Sequence, residues 1–387
     1  MTDLGSGPRS VATLAAFAAF FATGAATAAL GAALPIIARH FDLTDGTSAV
    51  IVAYNAGAFA TVAVLGALRE RAVFRVVVTA MLALFAVGCL GLALAGSWVL
   101  FCAAAVIAGC GFGGLGLVLN IAFANGFGAH SVVMVNRVNG LYCIGAVTGP
   151  IVVSALGDDF GQLSLALAVL ALLCLPAAGF RGTPADNTET MAGPRIPGGY
   201  WLLLLCLIGV LYAGVETNVG ALLSSQLVWS GWAPGDAALA TAGFWAGMVI
   251  GRLVLPLLTR AVPIQRLVPA HLAAGAALLA LAMVPALTPF AYLAAGIAVA
   301  PVVPTLMSWL AVTTEDPQRA GSVLFLSLMA ANVVLPATAG QIVGPDAPWS
   351  VAACVTAVCV AGTGVALVAR THARSQAAKV VCSTAAH

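Results

Sequence analysis

Long apolar runs with almost no charge constrain this chain more than any other feature of its sequence. Twelve such runs follow one another, each of roughly 20 residues or more, the length that an α-helix needs to cross a bilayer. Closed β-barrels also satisfy their backbone in lipid, but their strands alternate apolar and polar residues over about ten positions. No such alternation occurs here. The runs therefore predict an all-α integral membrane protein of twelve transmembrane helices.

Composition excludes a water-soluble fold of this length. Of 387 residues, 62% are hydrophobic and 7% are charged, whereas a typical soluble domain has about 45–50% and about 25%. The 15 basic and 13 acidic residues cannot cover the exterior of such a chain. Most of its surface must therefore face lipid.

Charge clusters and proline or glycine turns set the boundaries of the predicted spans. In the first half the spans cover residues 11–38, 48–68, 76–95, 98–127, 137–156 and 161–180. In the second half they cover residues 200–224, 237–258, 267–286, 290–312, 320–341 and 349–369.

A polar stretch separates the two halves. It holds three prolines together with Asp186, Glu189 and Arg195, and it is the longest interruption in the chain. We predict an N-terminal six-helix bundle over residues 1–180, a cytoplasmic linker over 181–199, and a C-terminal six-helix bundle with a short cytoplasmic tail over 200–387. Every other connection is short, so no appended catalytic domain is expected.

Basic residues fall almost entirely on one side when the twelve spans alternate. Short cytoplasmic loops retain Lys and Arg during insertion, so this side is predicted to be cytoplasmic. Only Arg39 falls on the far side, which instead collects acidic residues such as Asp42 and Asp236. Both termini are predicted to be cytoplasmic, in a multi-pass protein of the bacterial inner (plasma) membrane.

The two halves resemble each other at a spacing of about half the chain. The fifth and eleventh spans share a basic residue, a glycine and a mid-span proline in the same order, at Arg137, Gly140 and Pro150 and at Arg319, Gly321 and Pro336. Parallel six-helix repeats are typical of transporters in which two bundles rock about a central site.

The second-to-third loop carries the first family resemblance. Residues 66–75 read GALRERAVFR, which resembles the G-x-L-a-D-R-x-G-R-K signature of the major facilitator superfamily, although Val73 and Phe74 depart from it. The resemblance implies the twelve-helix major facilitator fold. It also implies that Glu70, Arg71 and Arg75 latch the two halves in one state. The alternative is that these charges only set the topology.

Two further segments resemble the fucose permease-like branch of that superfamily. They are residues 212–220, with a glutamate in the seventh span, and residues 244–252, with the G-x-x-x-G-R pattern of the eighth span. This resemblance implies import of a sugar-like solute with protons. In place of the fourth-helix acid that its sugar–proton symporters carry, this chain has Gly116 shortly before Asn120. Facilitated diffusion or a different coupling residue therefore stays open.

Glu216 is the only acidic residue within an apolar span. An acid at the centre of a transmembrane helix costs roughly 2.5–3.5 kcal/mol, so its side chain should face the bundle interior and be paired, protonated or both. We predict that Glu216 is the proton-coupling group. The alternative is a structural pair with Arg252, which we also consider as a gating residue or as a side chain that reaches the membrane surface.

Polar and aromatic residues within the spans are candidate substrate ligands. They are Tyr212, Asn218, Asn120, Asn139, Tyr142, Asn332 and Trp245. Amides bind hydroxyl-rich solutes well, and Trp245 offers a face for stacking. Each amide alternatively forms an interhelical hydrogen bond, worth about 0.6 kcal/mol on average.

The fifth span favours a second function. Residues 145–150 read GAVTGP, which resembles the core of the drug–proton antiporter motif. An exporter of an amphipathic metabolite is therefore the alternative, with Gly149 and Pro150 as a bent gating segment. A membrane sensor would need an output domain, and none is predicted.

The expected partners are a small-molecule substrate, a proton or other ion gradient, and the lipid bilayer. No metal-ligand spacing, nucleophile with a base, phosphate loop or nucleic-acid-binding face is detectable, so we expect no enzyme activity, no cofactor, no metal and no nucleic acid. Two six-helix bundles enclose a pathway by themselves, and we expect a monomer.

Overall fold

The computed structural model describes residues 8–44, 46–68, 73–127, 130–157, 159–180, 199–259, 262–314 and 316–385. Within these ranges the regular structure is helical, and twelve helical segments are long and apolar enough to cross a membrane. The predicted twelve-span fold is confirmed. Because the span number is even, both chain ends lie on one side of the bundle, here named the terminal side.

The first six spans follow the predicted order. Their helices are Pro8–Ala32 with its short continuation Leu34–His40, Ala49–Leu68, Phe74–Leu94, Trp98–Gly126, Ser131–Leu156, and Phe160–Leu173 with the 3₁₀ turn Leu175–Gly179.

The second six spans begin at the seventh helix. Their helices are Gly199–Trp229, Pro234–Leu258, Ile264–Leu281, Thr288–Val299 with Val302–Thr313, Pro317–Ile342, and Ser350–Ala385. The tenth span is split at Ala300 and Pro301, because proline has no amide hydrogen to donate and its ring clashes with the preceding turn.

Several helix ends differ from the prediction. The fifth helix begins at Ser131, not near 137, and Arg137 is exposed within it. The twelfth helix continues to Ala385, well past the predicted end at 369. Charged residues indicate where a span leaves the lipid. The helix itself can continue into water, because its backbone hydrogen bonds do not depend on the lipid. Gly199 belongs to the seventh helix, and residues 181–198 of the predicted linker lie outside the described residues.

The same packing pattern occurs twice. In the first half the first span packs on the fifth, the second and third pack on the fourth, and the third packs on the sixth. In the second half the seventh packs on the eleventh, the eighth and ninth pack on the tenth, and the ninth packs on the twelfth. The two halves are therefore structural repeats, as the sequence predicts.

The first and fifth spans pack closely through glycine. A Cβ on Gly24 would overlap the backbone of Tyr142, and one on Gly149 would overlap the carbonyl oxygen of Ala25. Pro150 is buried beside this contact. The GxxxGP segment thus lies at a helix contact within the first half, where small residues let backbones approach.

The halves meet on the side away from the termini. A Cβ on Gly31 of the first span would overlap the carbonyl oxygen of Gly220 in the seventh, and the Ser224 hydroxyl donates a hydrogen bond of 2.8 Å to the carbonyl of Ala32. Two more contacts on this side join Ser48 to Gly340 and Ser154 to Gly235. We name these four contacts the far-side seal.

Candidate solute-binding cavity

A cavity of about 240 Å³ lies between the two halves. Its lining comes from the first, second, fourth and fifth spans and from the seventh, eighth, tenth and eleventh. The two sets correspond under the internal repeat, so equivalent helices of each half form the walls. The far-side seal lies beyond one end of the cavity, and the lining extends toward the terminal side as far as Asn139 and Phe325.

Glu216 and Arg252 face each other in this cavity. Arg252 Nη2 lies 3.6 Å from Glu216 Oε1, and the two side chains keep 27% and 21% of their surface exposed. Arg252 therefore points into the cavity, and the alternative that it extends to the membrane surface is wrong. Partial exposure means that water reaches both charges, which a group that exchanges protons requires.

Groups from two spans surround this pair. Arg252 Nη1 donates a hydrogen bond of 2.8 Å to the Cys143 sulfur. Tyr142 and Tyr212 both interact with the two charges. The Tyr212 hydroxyl is buried beside both charges, and Arg252 Nε is buried with no hydrogen-bond partner in the described part of the chain.

The predicted amide ligands line the cavity in two hydrogen-bonded pairs. Asn139 Nδ2 donates to Asn120 Oδ1 at 2.9 Å, and Asn120 in turn donates to the Gly116 carbonyl at 2.8 Å. On the opposite wall, in the second half, the Thr217 hydroxyl donates to Asn332 Oδ1 at 2.7 Å. These amides therefore line the cavity and also form hydrogen bonds between helices, so the two predicted roles are compatible.

Asn218 does not line the cavity, so its prediction as a substrate ligand needs correction. Its side chain is fully buried, and its amide nitrogen and oxygen both lack partners among the described residues. In an α-helix two residues differ by about 200° in direction. Asn218 therefore points away from the cavity that Glu216 faces.

An aromatic wall on the first half was not predicted. Tyr54 stacks on Phe112 with ring centroids 5.3 Å apart, and Phe112 stacks on Tyr142 at 6.3 Å. Thr27 and Tyr54 share a hydrogen bond of 3.1 Å between their hydroxyls. Single aromatic residues in apolar spans are typical of packing, so nothing in the sequence brought these three rings together. The one sequence feature that could have indicated this wall is Tyr54, whose polar hydroxyl lies within an apolar span.

The predicted latch is only partly visible. Glu70 and Arg71 lie outside the described residues, and Arg75 is exposed near the start of the third helix, on the terminal side. Their role as a latch stays a prediction. In the described part of the chain, no group of His, Cys, Asp and Glu side chains is arranged to hold a metal ion.

Comparison with known proteins identifies the architecture. The sequence model described as Major Facilitator Superfamily matches residues 16–339. No curated protein sequence matches the chain. Among solved structures, a D-xylose–proton symporter aligns with a TM-score of 0.70 at 14% identity, covering 90% of this chain and 96% of that one.

Two further structures have the same fold. A bacterial homologue of the human lysosomal transporter Spinster, in an inward-facing and unoccupied conformation, aligns with a TM-score of 0.69 at 14% identity, covering 95% of this chain and 96% of its own. The fucose:proton symporter of E. coli aligns with a TM-score of 0.61 at 16% identity, covering 91% and 98%. These similarities are consistent with the fucose permease-like resemblance of the sequence.

Proposed function

The chain belongs to the major facilitator superfamily, and from this premise we propose that it is a proton-coupled carrier of a small, polar, sugar-like solute. The family is one of transporters and not of enzymes. In our proposal the two six-helix halves rock about the cavity, so that the solute meets one side of the membrane at a time.

The observation that carries the proposal is the Glu216–Arg252 pair in the cavity. A proton on Glu216 neutralises the carboxylate and frees Arg252, and loss of that proton restores the attraction across 3.6 Å. Arg252 also bonds to Cys143 of the fifth span, so the pair contacts both halves. Protonation therefore changes a contact between the parts that must move, which is how a proton gradient can drive alternating access.

The size and polarity of the cavity support a small polar solute. Its volume of about 240 Å³ is below the roughly 300–1,000 Å³ of sites for drug-sized molecules. Amides, hydroxyls and phenols line it beside aromatic faces, which is the combination that binds hydroxylated rings.

The aromatic wall of Tyr54, Phe112 and Tyr142 favours the alternative, export of an amphipathic metabolite. The other support for that alternative is weaker, because Gly145 and Gly149 contact the backbone of the first span and so have a packing role. We therefore keep the polar solute as the proposal.

The basic residues on the terminal side support its placement in the cytoplasm, in a bacterial inner membrane. In this orientation the far-side seal lies on the side of the membrane opposite the cytoplasm. We propose that the monomer is the functional unit, since one chain supplies every wall of the cavity.

Uptake into proteoliposomes tests the coupling. A panel of hexoses, pentoses, sugar acids and amphipathic drugs is supplied with and without a pH gradient, to wild type and to Glu216→Gln. We expect one polar class to accumulate only with the gradient, and Glu216→Gln only to equilibrate it. Gradient-driven accumulation by Glu216→Gln would contradict the role of Glu216, and accumulation of the drugs alone would establish the alternative.

A further inference from the structure

We propose that the transported solute is an anion, a ring compound of sugar size with one carboxylate, which binds Arg252 in the place that Glu216 occupies. This inference rests on the proposed function and names its substrate class.

The guanidinium of Arg252 is not saturated by the protein. It has five N–H donors, and the described contacts are one bond to the weakly accepting Cys143 sulfur, an ion pair of 3.6 Å with Glu216 and an interaction with the Tyr212 phenol. That distance exceeds an N–H···O hydrogen bond, which is about 2.7–3.2 Å. Arg252 Nε has no partner among the described residues. The cation therefore has donors left for a ligand.

The cavity offers another free donor. Trp245 Nε1 is buried and has no hydrogen-bond partner in the described ranges, and Trp245 lines the cavity. The acceptor oxygens of Asn120 and Asn332 are already engaged by Asn139 and Thr217. Unpaired donors on Arg252 and Trp245 match a solute that carries acceptors, and a carboxylate is the strongest of these.

Charge balance leads to the same class. When Glu216 is protonated, Arg252 is the one charge of the pair that remains. A neutral sugar would leave that cation unpaired once the cavity closes, which is costly inside a membrane. A carboxylate neutralises it and can accept two parallel N–H bonds. Glu216 and the solute therefore compete for the same cation.

This competition sets the transport stoichiometry. A proton from the water binds a Glu216 carboxylate oxygen, and the solute carboxylate then pairs with Arg252. After the halves rock, the solute leaves, Glu216 releases its proton and pairs with Arg252 again. One proton and one monovalent anion move together, so the step carries no net charge.

The groups around the pair do not disturb this balance. The titratable side chains that face it are Tyr142 and Cys143 of the fifth span and Tyr212 of the seventh, together with Tyr54 of the second span farther along the wall. Phenols and thiols are neutral at neutral pH or below. The first span contributes Thr27 and the eleventh contributes Asn332, each with apolar side chains, and none of these groups titrates.

The remainder of the solute lies against the aromatic wall. Tyr54, Phe112 and Tyr142 present stacked rings on the first half, opposite the seventh and eighth spans that carry the charged pair. A flat sugar or aromatic ring suits this face, and about 240 Å³ leaves space for one ring with its substituents.

Matched acid and amide pairs test the inference by thermal stabilisation of the purified protein in detergent. The probes are D-glucuronate with D-glucuronamide, D-galacturonate with D-galacturonamide, and 4-hydroxybenzoate with 4-hydroxybenzamide. At pH 5.5 we expect at least one acid to stabilise the wild type, with an affinity about 30-fold or more above that of its amide, since an unpaired buried charge costs this much. Equal or stronger binding of the amides overturns the inference, and so does the absence of binding by all three acids.

Variants separate recognition from folding. Glu216→Gln removes the competing carboxylate, so the acid should bind this variant at least as tightly as it binds wild type. The double variant Glu216→Gln, Arg252→Gln removes both charges and should melt close to wild type without ligand but lose the acid preference. Retention of that preference in the folded double variant would overturn the role of Arg252.

Transport of the acid that binds distinguishes this inference from the proposed function. An acid that binds and equilibrates but never accumulates with a pH gradient contradicts proton coupling and leaves anion recognition standing. A neutral sugar that accumulates with the gradient supports the coupling and overturns the anion. Accumulation of the acid should not respond to a potassium–valinomycin potential, and a response would contradict the one-to-one stoichiometry.

Discussion

Glu216 of the seventh span and Arg252 of the eighth hold opposite charges 3.6 Å apart, too far for a hydrogen bond and close enough for strong attraction. Both keep part of their surface in contact with the cavity. The pair is therefore held by charge alone, and it can be opened by a proton or by a competing ion without breaking a directional bond.

Removing only one charge of this pair should destabilise the protein. In Arg252→Gln the Glu216 carboxylate loses its counter-ion, and we expect a loss of about 1–3 kcal/mol at pH 7.5, less than for a dry buried pair because water reaches the site. The double variant with Glu216→Gln should recover most of this loss in thermal unfolding. Equal losses in the single and double variants would mean that the charges are not coupled.

Gly31→Val should prevent closure on the far side. Its side chain would overlap the Gly220 carbonyl, and overpacking of this kind costs about 1–3 kcal/mol, so we expect proteoliposome uptake to fall about tenfold. Gly364→Val is the matched control, because Gly364 is exposed in the twelfth helix and a Cβ there meets nothing within 4 Å. Normal uptake by Gly31→Val would show that this glycine contact is not part of the seal.

Asn218→Leu should leave uptake unchanged and raise stability. Its amide is fully buried with no described partner and faces away from the cavity, and each such group costs about 1–3 kcal/mol. Thermal unfolding and uptake measure the two effects. Asn120→Leu, at a residue that lines the cavity, is expected to lose uptake. Loss of uptake in Asn218→Leu would instead show that Asn218 takes part in transport.

Gln226→Leu should destabilise the second half without changing the site. Gln226 accepts a hydrogen bond of 2.6 Å from the Tyr292 hydroxyl and donates one of 3.1 Å to the Ala282 carbonyl. Its loss leaves the buried phenol unpaired, for which we expect about 1–3 kcal/mol. Gln341→Leu, on an exposed position of the eleventh helix, serves as the control in thermal unfolding, and equal melting temperatures for both variants would contradict the prediction.

The fold was predictable because the bilayer imposes a length and a polarity on every span. Glu216 and Arg252 were predictable for a related reason, since a charge inside a span needs a partner. The sequence did not show which face of each helix lines the cavity. The seventh helix is largely apolar around its circumference, so its sequence does not show that Glu216 faces the cavity and Asn218 does not. The aromatic wall joins residues from three spans, and that contact exists only after the helices pack.

The far-side seal has a chemical property that separates it from the cavity it closes. Its contacts involve glycine, alanine and serine, none of which gains or loses charge over the physiological pH range. A change of pH therefore does not directly change the charge of the far-side seal. If Glu216 is the coupling group, as we propose, its protonation can open the seal only through movement of whole helices. Substitutions at the cavity could then change which solute binds without altering the contacts of the seal.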